Sequence, residues 1–365
     1  MVEFEPEEVV VEIGSENSPI FRNLKSAFPK VPFTYVDGPE ASSAPLFASS
    51  DPFGEGKKRL HLMRHRGKFL KKCPGSEGQV CCNYFVINFA SNCPMECSYC
   101  YLQEYLSQNP ALKVFSNVDD LIDEAGTMLS RHRRIFFRIG TGEITDSLAL
   151  DPYIGFSAEV IPFFAEQPNV LLELKTKSDQ VDGLLDLNPK GRVVVSWSMS
   201  PQKVIEIDEH LTASFDERLR AACRCQEAGY KLGFHFDPMI EYPGWENDYQ
   251  EMVEKIFAVV DHGRVATLSM GVLRNTRGLQ QIIRDRFPST RILSGEQVLG
   301  SDGKMRYFQP LRVGMYRKML RWIRRVAPTA FVYLCMESRE VWEQVFGFVP
   351  SCEKELGNRL AAPGL

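Results

Sequence analysis

Short apolar runs that alternate with amphipathic stretches place the strongest constraint on the fold of this chain. Six runs, each rich in β-branched or aromatic residues, recur between residues 82 and 273: CNYFVINFA, RIFFRIG, NVLLELKT, RVVVSWSMS, KLGFHFDPM and RVATLSMGVL. Runs of this length and composition predict strands that are buried on both faces of a sheet. Repeated strand–helix alternation indicates parallel strands joined by right-handed crossovers. Six such units predict an α/β fold, a partial (β/α)6 barrel of the TIM type.

Two of the intervening segments carry clear helix signals. Segment 214–229 begins with Ser214 and Glu217, which form a capping box, and it ends at Gly229, a residue type that commonly follows a helix. Segment 118–132 places five apolar side chains on one helical face, namely Leu121, Ile122, Ala125, Met128 and Leu129. Both segments predict helices that pack on the sheet.

The chain divides into three predicted parts. Residues 1–80 are punctuated by Pro, Gly and Ser and predict an irregular N-terminal segment. Residues 81–272 hold the six strand–helix units and predict the barrel. Residues 273–365 predict a C-terminal extension that contains a hairpin over 296–309 turning at Asp302–Gly303, a basic amphipathic helix over 312–326 and a last strand over 330–337.

Composition and charge narrow the location and the partners. The N-terminus is acidic where a signal peptide is basic, and no apolar run reaches membrane-spanning length, so a cytoplasmic protein without a membrane partner is expected. The net charge is −4, but the stretch from Arg264 to Arg325 holds 14 Lys and Arg against three acidic residues, a net +11 that leaves −15 for the rest of the chain. This basic third predicts either a surface that meets a polyanion or a set of solvated helix faces.

Ten cysteines are many for a cytosolic protein, and six of them fall into two groups. A chain of this length needs no disulfide framework, and grouped cysteines in a reducing compartment indicate metal or redox chemistry. For the first group, Cys73, Cys81 and Cys82, two interpretations stay open: a second metal site, or buried thiols.

The second group, Cys93-x3-Cys97-x2-Cys100, follows the first predicted strand. Active sites of parallel barrels are assembled at the carboxyl ends of the strands. Structural zinc takes four ligands, and the nearest histidines, His65 and His132, are remote in sequence. Three thiolates suit a [4Fe-4S] cluster in which one iron stays open to a ligand that the protein does not supply. The motif therefore predicts an iron–sulfur site, with a zinc site as the alternative.

This cysteine spacing, with Tyr99 beside the last cysteine, resembles the signature of the radical S-adenosylmethionine (SAM) superfamily. The closer similarity is to the spore photoproduct lyase family, and it extends from about residue 80 to 345 through CSYCYLQ, TKSDQVDGLLD, SWSMSPQKVI, FDERLRAACRCQEAGYKLGF, PGWENDY and RDRFPSTRI. The resemblance implies a partial barrel with a [4Fe-4S] cluster on Cys93, Cys97 and Cys100, and SAM that is cleaved to a 5′-deoxyadenosyl radical. That radical takes hydrogen from a thymine-dimer crosslink in DNA, so the implied activity is a carbon–carbon lyase in DNA repair.

The resemblance also assigns roles to single residues. It places Tyr99 and Tyr101 in the catalytic site, where Tyr101 relays a hydrogen atom or, in the alternative, only packs. The GTGE element ends the second strand, where the superfamily commonly has a Gly-Gly-Glu element that receives the SAM amino group. Residues expected to bind SAM are therefore Tyr99, Gly140, Thr141, Gly142, Glu143, Lys177 and Ser198. Without the resemblance, Lys177 and Ser198 are equally well read as solvated residues at strand ends.

The implied partners are damaged DNA, which would meet the basic third with the 296–309 hairpin near the lesion, and an electron-donor protein such as ferredoxin or flavodoxin. Two other functions stay open. The same radical chemistry would serve another substrate, such as another nucleic acid, a peptide or a small molecule. A zinc-dependent nucleic-acid-binding protein would use the same cysteines with the basic third.

One position departs from the family. The lyase returns a hydrogen atom to the product radical from a cysteine just after the second strand, and Glu143 aligns there. No cysteine lies between Cys100 and Cys223, so a shift of one residue in the alignment does not supply a thiol. The hydrogen must then come from elsewhere, or the substrate differs.

Other cysteines of the chain are candidates for the hydrogen donor. Cys81 and Cys82 precede Phe89 by seven or eight residues, which at ~3.3 Å per extended residue places them roughly 25 Å away, towards the other end of the strand. They are therefore not expected to donate. Cys335, on the last predicted strand, and Tyr101 remain as candidates.

Overall fold

A computed structural model describes residues 3–38, 46, 49–351 and 356. Residues 39–45 of the predicted N-terminal segment and residues 357–365 of the predicted extension lie outside the described residues. In the part of the chain that is described, no helix has both the length and the apolar character needed to cross a membrane.

The strands position the site. They are β1 (Glu8–Glu12), β2 (Phe33–Val36), β3 (Arg59–Met63), β4 (Leu70–Lys72), β5 (Phe85–Ile87), β6 (Ala90–Ser91), β7 (Glu96–Cys97), β8 (Leu112–Phe115), β9 (Phe137–Gly140), β10 (Val170–Thr176), β11 (Val193–Ser198), β12 (Glu209–His210), β13 (Lys231–Met239), β14 (Val265–Val272), β15 (Arg274–Asn275), β16 (Gln297–Leu299), β17 (Met305–Tyr307) and β18 (Val332–Leu334).

Helices connect most of these strands. They are α1 (Pro19–Ala27), α2 (Pro52–Lys57), α3 (Leu102–Tyr105), α4 (Val118–Arg131), α5 (Asp151–Ile154), α6 (Phe156–Ala165), α7 (Asp182–Leu185), α8 (Gln202–Asp208), α9 (Phe215–Glu227), α10 (Trp245–Val259), α11 (Arg277–Arg286), α12 (Gln309–Val326) and α13 (Arg339–Phe346).

The largest sheet is the predicted barrel. Its strand order is β18-β14-β13-β11-β10-β9-β5-β4, and all neighbours are parallel except β4, which pairs antiparallel with β5 at the edge. Each of the six predicted apolar runs contains one of these strands, so the α/β partial barrel is confirmed. The strand β18 adds a seventh parallel strand next to β14, beyond the predicted boundary at residue 272. The last strand predicted over 330–337 is thus present as β18.

The expectation of an irregular segment over residues 1–80 is wrong. Strands β1, β2 and β3 lie in a second sheet of order β2-β1-β3-β8-β6, in which Leu60 pairs with Leu112. The strands are four or five residues long, and β3 pairs with a strand about fifty residues further along the chain. A local pattern does not show such pairing, because turn-forming residues surround each strand and its partner is remote.

The helix predictions are confirmed. Ser214 and Glu217 form the reciprocal capping box of α9, and Gly229 adopts φ +89°, the left-handed region that glycine favours. In α4 the side chains of Leu121, Ala125 and Leu129 are buried. The predicted hairpin is present as β16 and β17, which pair antiparallel across a turn at Gly303.

Candidate active site

The cysteine motif lies in the loop that leaves β6 and enters α3. Asn92 takes a left-handed backbone conformation, φ 69°, and its side-chain oxygen accepts a hydrogen bond of 2.7 Å from the Cys93 N–H. The Cys100 N–H donates to the Cys97 carbonyl at 3.1 Å, which tightens the turn between these cysteines. The short strand β7 pairs with β12, so that Cys97 lies opposite Glu209. Backbone hydrogen bonds thus hold the loop at both ends.

The three thiols are held in an environment that favours their neutral form. Burial raises the pKa of Cys93 to about 12, and burial likewise raises the pKa of Cys97 and of Cys100. The ammonium of Lys57 opposes the rise in the pKa of Cys93, and that of Lys177 opposes it for Cys97. Desolvation thus prevails over these lysines, and metal ligation is the usual way in which such thiols are held as thiolates.

The arrangement fits a cluster better than a single ion. The Cys100 and Cys93 thiols add to the rise in the pKa of Cys97, and Cys100 adds to that of Cys93, so the thiols are neighbours. Structural zinc takes four ligands, whereas three thiolates suit a four-iron cluster in which one iron stays open. The donor set therefore fits a [4Fe-4S] cluster.

A buried carboxylate, Glu209, joins several residues beside this loop. It forms an ion pair of 2.6 Å with Arg218, both side chains being fully buried, and it accepts hydrogen bonds from Tyr99 and Ser200. Burial alone raises a carboxyl pKa, but Arg218 and then Lys177 lower the pKa of Glu209 to about 2. Glu209 is therefore ionised at neutral pH and fixes the phenol of Tyr99.

The structure brings three of the predicted SAM residues together around Glu209. The Lys177 ammonium lies 5.6 Å from the centre of the Tyr99 ring, and Arg218 donates to the Ser198 carbonyl at 2.8 Å. Sequence reasoning missed Glu209, because nothing in the local pattern links it to Tyr99, which is 110 residues away. Its pairing with Cys97 across β7 and β12 is visible only in the fold.

Contacts within the protein leave no room for a side chain at either glycine of the GTGE element. A Cβ atom on Gly140 would lie 1.6 Å from the Tyr84 hydroxyl, and one on Gly142 would lie 2.7 Å from the Lys175 carbonyl oxygen. The Tyr84 side chain therefore requires the glycine at position 140, and the Lys175 backbone requires the one at position 142. Thr141 is buried and donates to Ser147 at 2.7 Å.

Tyr101 and Glu143 lie together at the mouth of the barrel. The Tyr101 hydroxyl donates to the Glu143 carbonyl at 2.8 Å and lies 3.3 Å from a carboxylate oxygen of the same residue. Tyr101 is 44% exposed, more than a residue that only packs. Desolvation and the Glu143 charge raise the pKa of Tyr101 far above its ordinary value, so the phenol keeps its hydrogen.

Below the mouth, the barrel floor is a buried polar network centred on Glu173. Its carboxylate accepts hydrogen bonds from Tyr84 at 2.7 Å, Ser196 at 2.6 Å and His235 at 2.9 Å, and it pairs with Arg138 at 3.1 Å. Despite desolvation, Arg138 and His235 hold the pKa of Glu173 well below its usual range. The floor separates the mouth from the opposite end of the barrel.

Comparison with known proteins gives the family. A family model described as spore photoproduct lyase matches residues 71–319, more than half of the chain. The chain belongs to the spore photoproduct lyase family. The family expected from the cysteine motif and the six matching stretches is therefore confirmed.

Relatives and solved structures of the spore photoproduct lyase family agree. The chain is 29% identical to spore photoproduct lyase of Geobacillus sp. over 232 residues and 28% identical to that of Bacillus subtilis over 215 residues. These segments cover 63% and 58% of this chain, and 66% and 63% of the relatives, which is less than two thirds of either relative.

A solved spore photoproduct lyase mutant with bound AdoMet and dinucleoside spore photoproduct has a TM-score of 0.81 and 25% identity to this chain. It covers 91% of this chain and 100% of its own length.

Glu143 aligns with the hydrogen-donating cysteine of the spore photoproduct lyase family. In this chain, two thiols lie near Glu143. Burial and then the charge of Glu143 raise the pKa of Cys73. Burial raises the pKa of Cys335 to about 11, Glu143 adds to that rise, and the Arg274 guanidinium lies 3.9 Å from the Cys335 sulfur. The mouth thus holds thiols although none stands at position 143.

The placement of Cys81 and Cys82 at the far end of a strand is not supported. The strand β5 begins only at Phe85, and Asn83 turns the chain with φ 54°, so the residues before it are not extended. Burial raises the pKa of Cys82 to about 12, and the thiols of Cys335 and Cys73 contribute to that rise. Cys82 therefore lies near both of them, inside the barrel.

The hairpin carries exposed apolar side chains next to a buried, ion-paired arginine. Leu299 is 58% exposed and Phe308 is 61% exposed, whereas Arg306 is buried in an ion pair with Asp302. The hairpin is attached to the loop after β4 by a hydrogen bond of 2.8 Å from Lys304 to Ser76.

The basic third is partly neutralised within the fold. Five of its cations form ion pairs with acidic side chains: Arg274, Arg286, Arg306, Arg312 and Lys318. The exposed arginines of this stretch are Arg264, Arg277, Arg284, Arg291, Arg317, Arg321, Arg324 and Arg325. Both sequence interpretations, a polyanion-binding surface and solvated helix faces, remain predictions.

Proposed function

We propose that this protein is a radical SAM enzyme that repairs thymine-dimer crosslinks in DNA, a carbon–carbon lyase of the spore photoproduct type. The observation that carries the proposal is the loop of Cys93, Cys97 and Cys100 beside the Tyr99–Glu209–Lys177 group, in a chain of this family. Solved relatives bind AdoMet and dinucleoside spore photoproduct. Both ligands come to this chain by that similarity.

The three cysteines would hold a [4Fe-4S] cluster, and the residues at the strand ends would hold SAM. When bound, the cluster and SAM supply a carbon radical that takes hydrogen from the substrate. Lys177 offers an ammonium to the SAM carboxylate, Glu143 offers a carboxylate to the SAM amino group, and Ser198 lies at the place expected for the ribose. Glu209 keeps Tyr99 in one orientation against the cysteine loop.

Damaged DNA would approach the mouth from the hairpin side. The exposed Leu299 and Phe308 side chains are suited to contact unstacked bases, and the exposed arginines of the C-terminal third are suited to phosphates. Ferredoxin or flavodoxin would supply the electron in the cytoplasm. The hydrogen returned to the product would come from the Cys335 thiol or from the Tyr101 phenol, because both lie beside Glu143.

The direct test is anaerobic reconstitution followed by incubation with SAM, a reductant and an oligonucleotide that contains the thymine-dimer crosslink. Restored thymines, together with 5′-deoxyadenosine, are expected. A crosslink that stays unrepaired while SAM is cleaved abundantly would contradict the repair function.

A second candidate function is radical SAM chemistry on another substrate, namely another nucleic acid, a peptide or a small molecule. The observation in its favour is Glu143, which stands where the family has its hydrogen-donating cysteine. Because phosphate contacts make DNA affinity fall steeply with salt, a failure to bind crosslinked DNA even at low salt would favour this second function.

A further inference from the structure

Two lysines at the carboxyl end of β10, Lys175 within the strand and Lys177 just after it, lie on the same face. Side chains of a strand alternate between faces, so Lys175 and Lys177 share the inner face with Glu173. Lys177 faces the cysteine loop, since its charge acts on Cys97 and Glu209. Lys175 has no role in the function proposed above.

The position of Lys175 is fixed by its backbone. Its N–H donates to the Ser147 hydroxyl at 2.9 Å, and its carbonyl accepts from the Ser147 N–H at 3.1 Å. Gly142 packs so closely that an added Cβ would lie 2.8 Å from the Lys175 Cβ. The side chain is half-buried and starts from a fixed position on the wall of the barrel mouth.

The ammonium of Lys175 lacks the partners that neighbouring cations have. Arg274 pairs with Asp237 at 3.0 Å, and Lys304 donates to Ser76 at 2.8 Å. Within the described ranges, Lys175 makes no side-chain hydrogen bond and no ion pair. A half-buried ammonium has three donors and no acceptor, and leaving them unpaired costs free energy unless an acceptor arrives.

The surroundings of the ammonium show where an acceptor would bind. The Lys175 charge lowers the pKa of His235 and contributes to the pKa values of Asp237 and Cys335, so the ammonium acts on the side chains of this part of the mouth. Gly142, the residue before Glu143, packs directly on Lys175. A ligand that binds the ammonium therefore lies on the Glu143 side of the mouth.

We propose that Lys175 is a substrate-binding residue whose ammonium donates a hydrogen bond to an electron-rich oxygen of the lesion. This inference rests on the proposed repair function. Two sources of that oxygen share the chemistry: a pyrimidine carbonyl, and the phosphodiester that links the two nucleosides. The geometry on the mouth wall suits either, and the substrate used in the test separates them.

The test measures binding of lesion to anaerobically reconstituted protein by calorimetry, so it does not depend on turnover. The probes are dinucleoside spore photoproduct, which lacks the phosphodiester, and the corresponding dinucleotide. The variants are Lys175→Met and Lys175→Arg. Lys231→Met is the matched control, because Lys231 is also half-buried and without an ion pair in the described part of the chain, but begins β13 at the opposite end of the barrel.

We expect Lys175→Met to weaken binding about tenfold to a hundredfold, the range for a hydrogen bond to a charged group. Lys175→Arg should stay within about threefold of wild type, and Lys231→Met should bind like wild type. Weaker binding of both probes assigns the oxygen to a carbonyl, and weaker binding of the dinucleotide alone assigns it to the phosphodiester.

The inference is overturned if Lys175→Met binds both probes as tightly as wild type, or if Lys175→Arg loses as much as Lys175→Met. Wild-type protein that binds neither probe overturns the proposed repair function instead, and the inference falls with it. The two failures are therefore distinguishable in one set of titrations.

Discussion

The floor and the mouth of the barrel interior both include residues of β10, but the charged groups of the two regions differ in their partners. Glu173, at the floor, accepts from four side chains and is fully buried among them. Lys175, two residues further on, makes no such contact with the described residues, and Tyr101 across the mouth is 44% exposed. The Glu173 carboxylate has its partners within the protein, whereas the Lys175 ammonium has none among the described residues.

This difference separates structural charge from functional charge. A buried charge whose partners all come from the protein contributes to the fold, and removing one partner is costly. A charge that lacks partners at the carboxyl ends of barrel strands marks the place where a ligand completes the site. Substitutions at the floor should therefore affect stability first, and those at the mouth should affect chemistry first.

The largest expected effect lies at the mouth. Replacing Cys97 with Ala removes one of three cluster ligands, so bound iron and all 5′-deoxyadenosine production should be lost. Chromatography of the products formed from SAM and a reductant measures the 5′-deoxyadenosine. Cys223→Ala, a thiol on α9 remote from the motif in sequence, is the control and should behave like wild type. Full 5′-deoxyadenosine production by the Cys97 variant would refute the assigned mechanism.

The next largest effect is on stability, at the floor. Glu173→Gln leaves the buried Arg138 guanidinium without its counter-charge and should lower the free energy of unfolding by about 3–5 kcal/mol. Denaturant titration measures the change. The exposed Glu159→Gln on α6 serves as the control and should change little. A loss below about 1 kcal/mol at position 173 would show that the Glu173 network contributes little to the stability of the fold.

The same carboxylate predicts a dependence on pH. The pKa of Glu173 is lower in the folded chain than its ordinary value of 4.5, so its contribution is present above pH 4.5 and is lost as pH falls below that value. The unfolding free energy of wild type should therefore decline more steeply than that of Glu173→Gln in acid. Parallel curves for the two proteins would remove Glu173 as a source of acid sensitivity.

A smaller effect is expected between floor and mouth. Gly140→Ala forces the Tyr84 ring to move and should cost about 1–3 kcal/mol, as overpacking does. Gly314→Ala is the matched control, because its Cβ would meet nothing within 4 Å and a helical position gains from alanine. Thermal unfolding compares the two. An unchanged Gly140 variant would mean that Tyr84 yields easily and that the glycine serves a ligand after all.

Much of the fold follows from local pattern. The six apolar runs predict the barrel strands because each run carries its own burial signal, and Ser214 and Glu217 predict the start of α9 for the same reason. The N-terminal sheet was not predicted because β3 pairs with β8, which is remote in sequence. The strands of this sheet are also short and surrounded by turn-forming residues. Pairing across the chain is a property of the fold.

The site divides in the same way. The cysteines are predictable because one loop supplies all three at fixed spacing. Glu209 is not predictable, because its role depends on lying opposite Cys97 and beside Tyr99. The motif GTGE was placed correctly at the end of a barrel strand, but the reason for Gly140 is the ring of Tyr84, which only the packed barrel shows.

The central claim is that Cys93, Cys97 and Cys100 hold an iron–sulfur cluster with one iron open to SAM. Metal and acid-labile sulfide analysis of protein purified without oxygen tests it most directly. The account predicts about four iron and about four sulfide per chain, in a brown preparation that bleaches in air. Stoichiometric zinc without iron or sulfide, in a colourless preparation indifferent to oxygen, would contradict it.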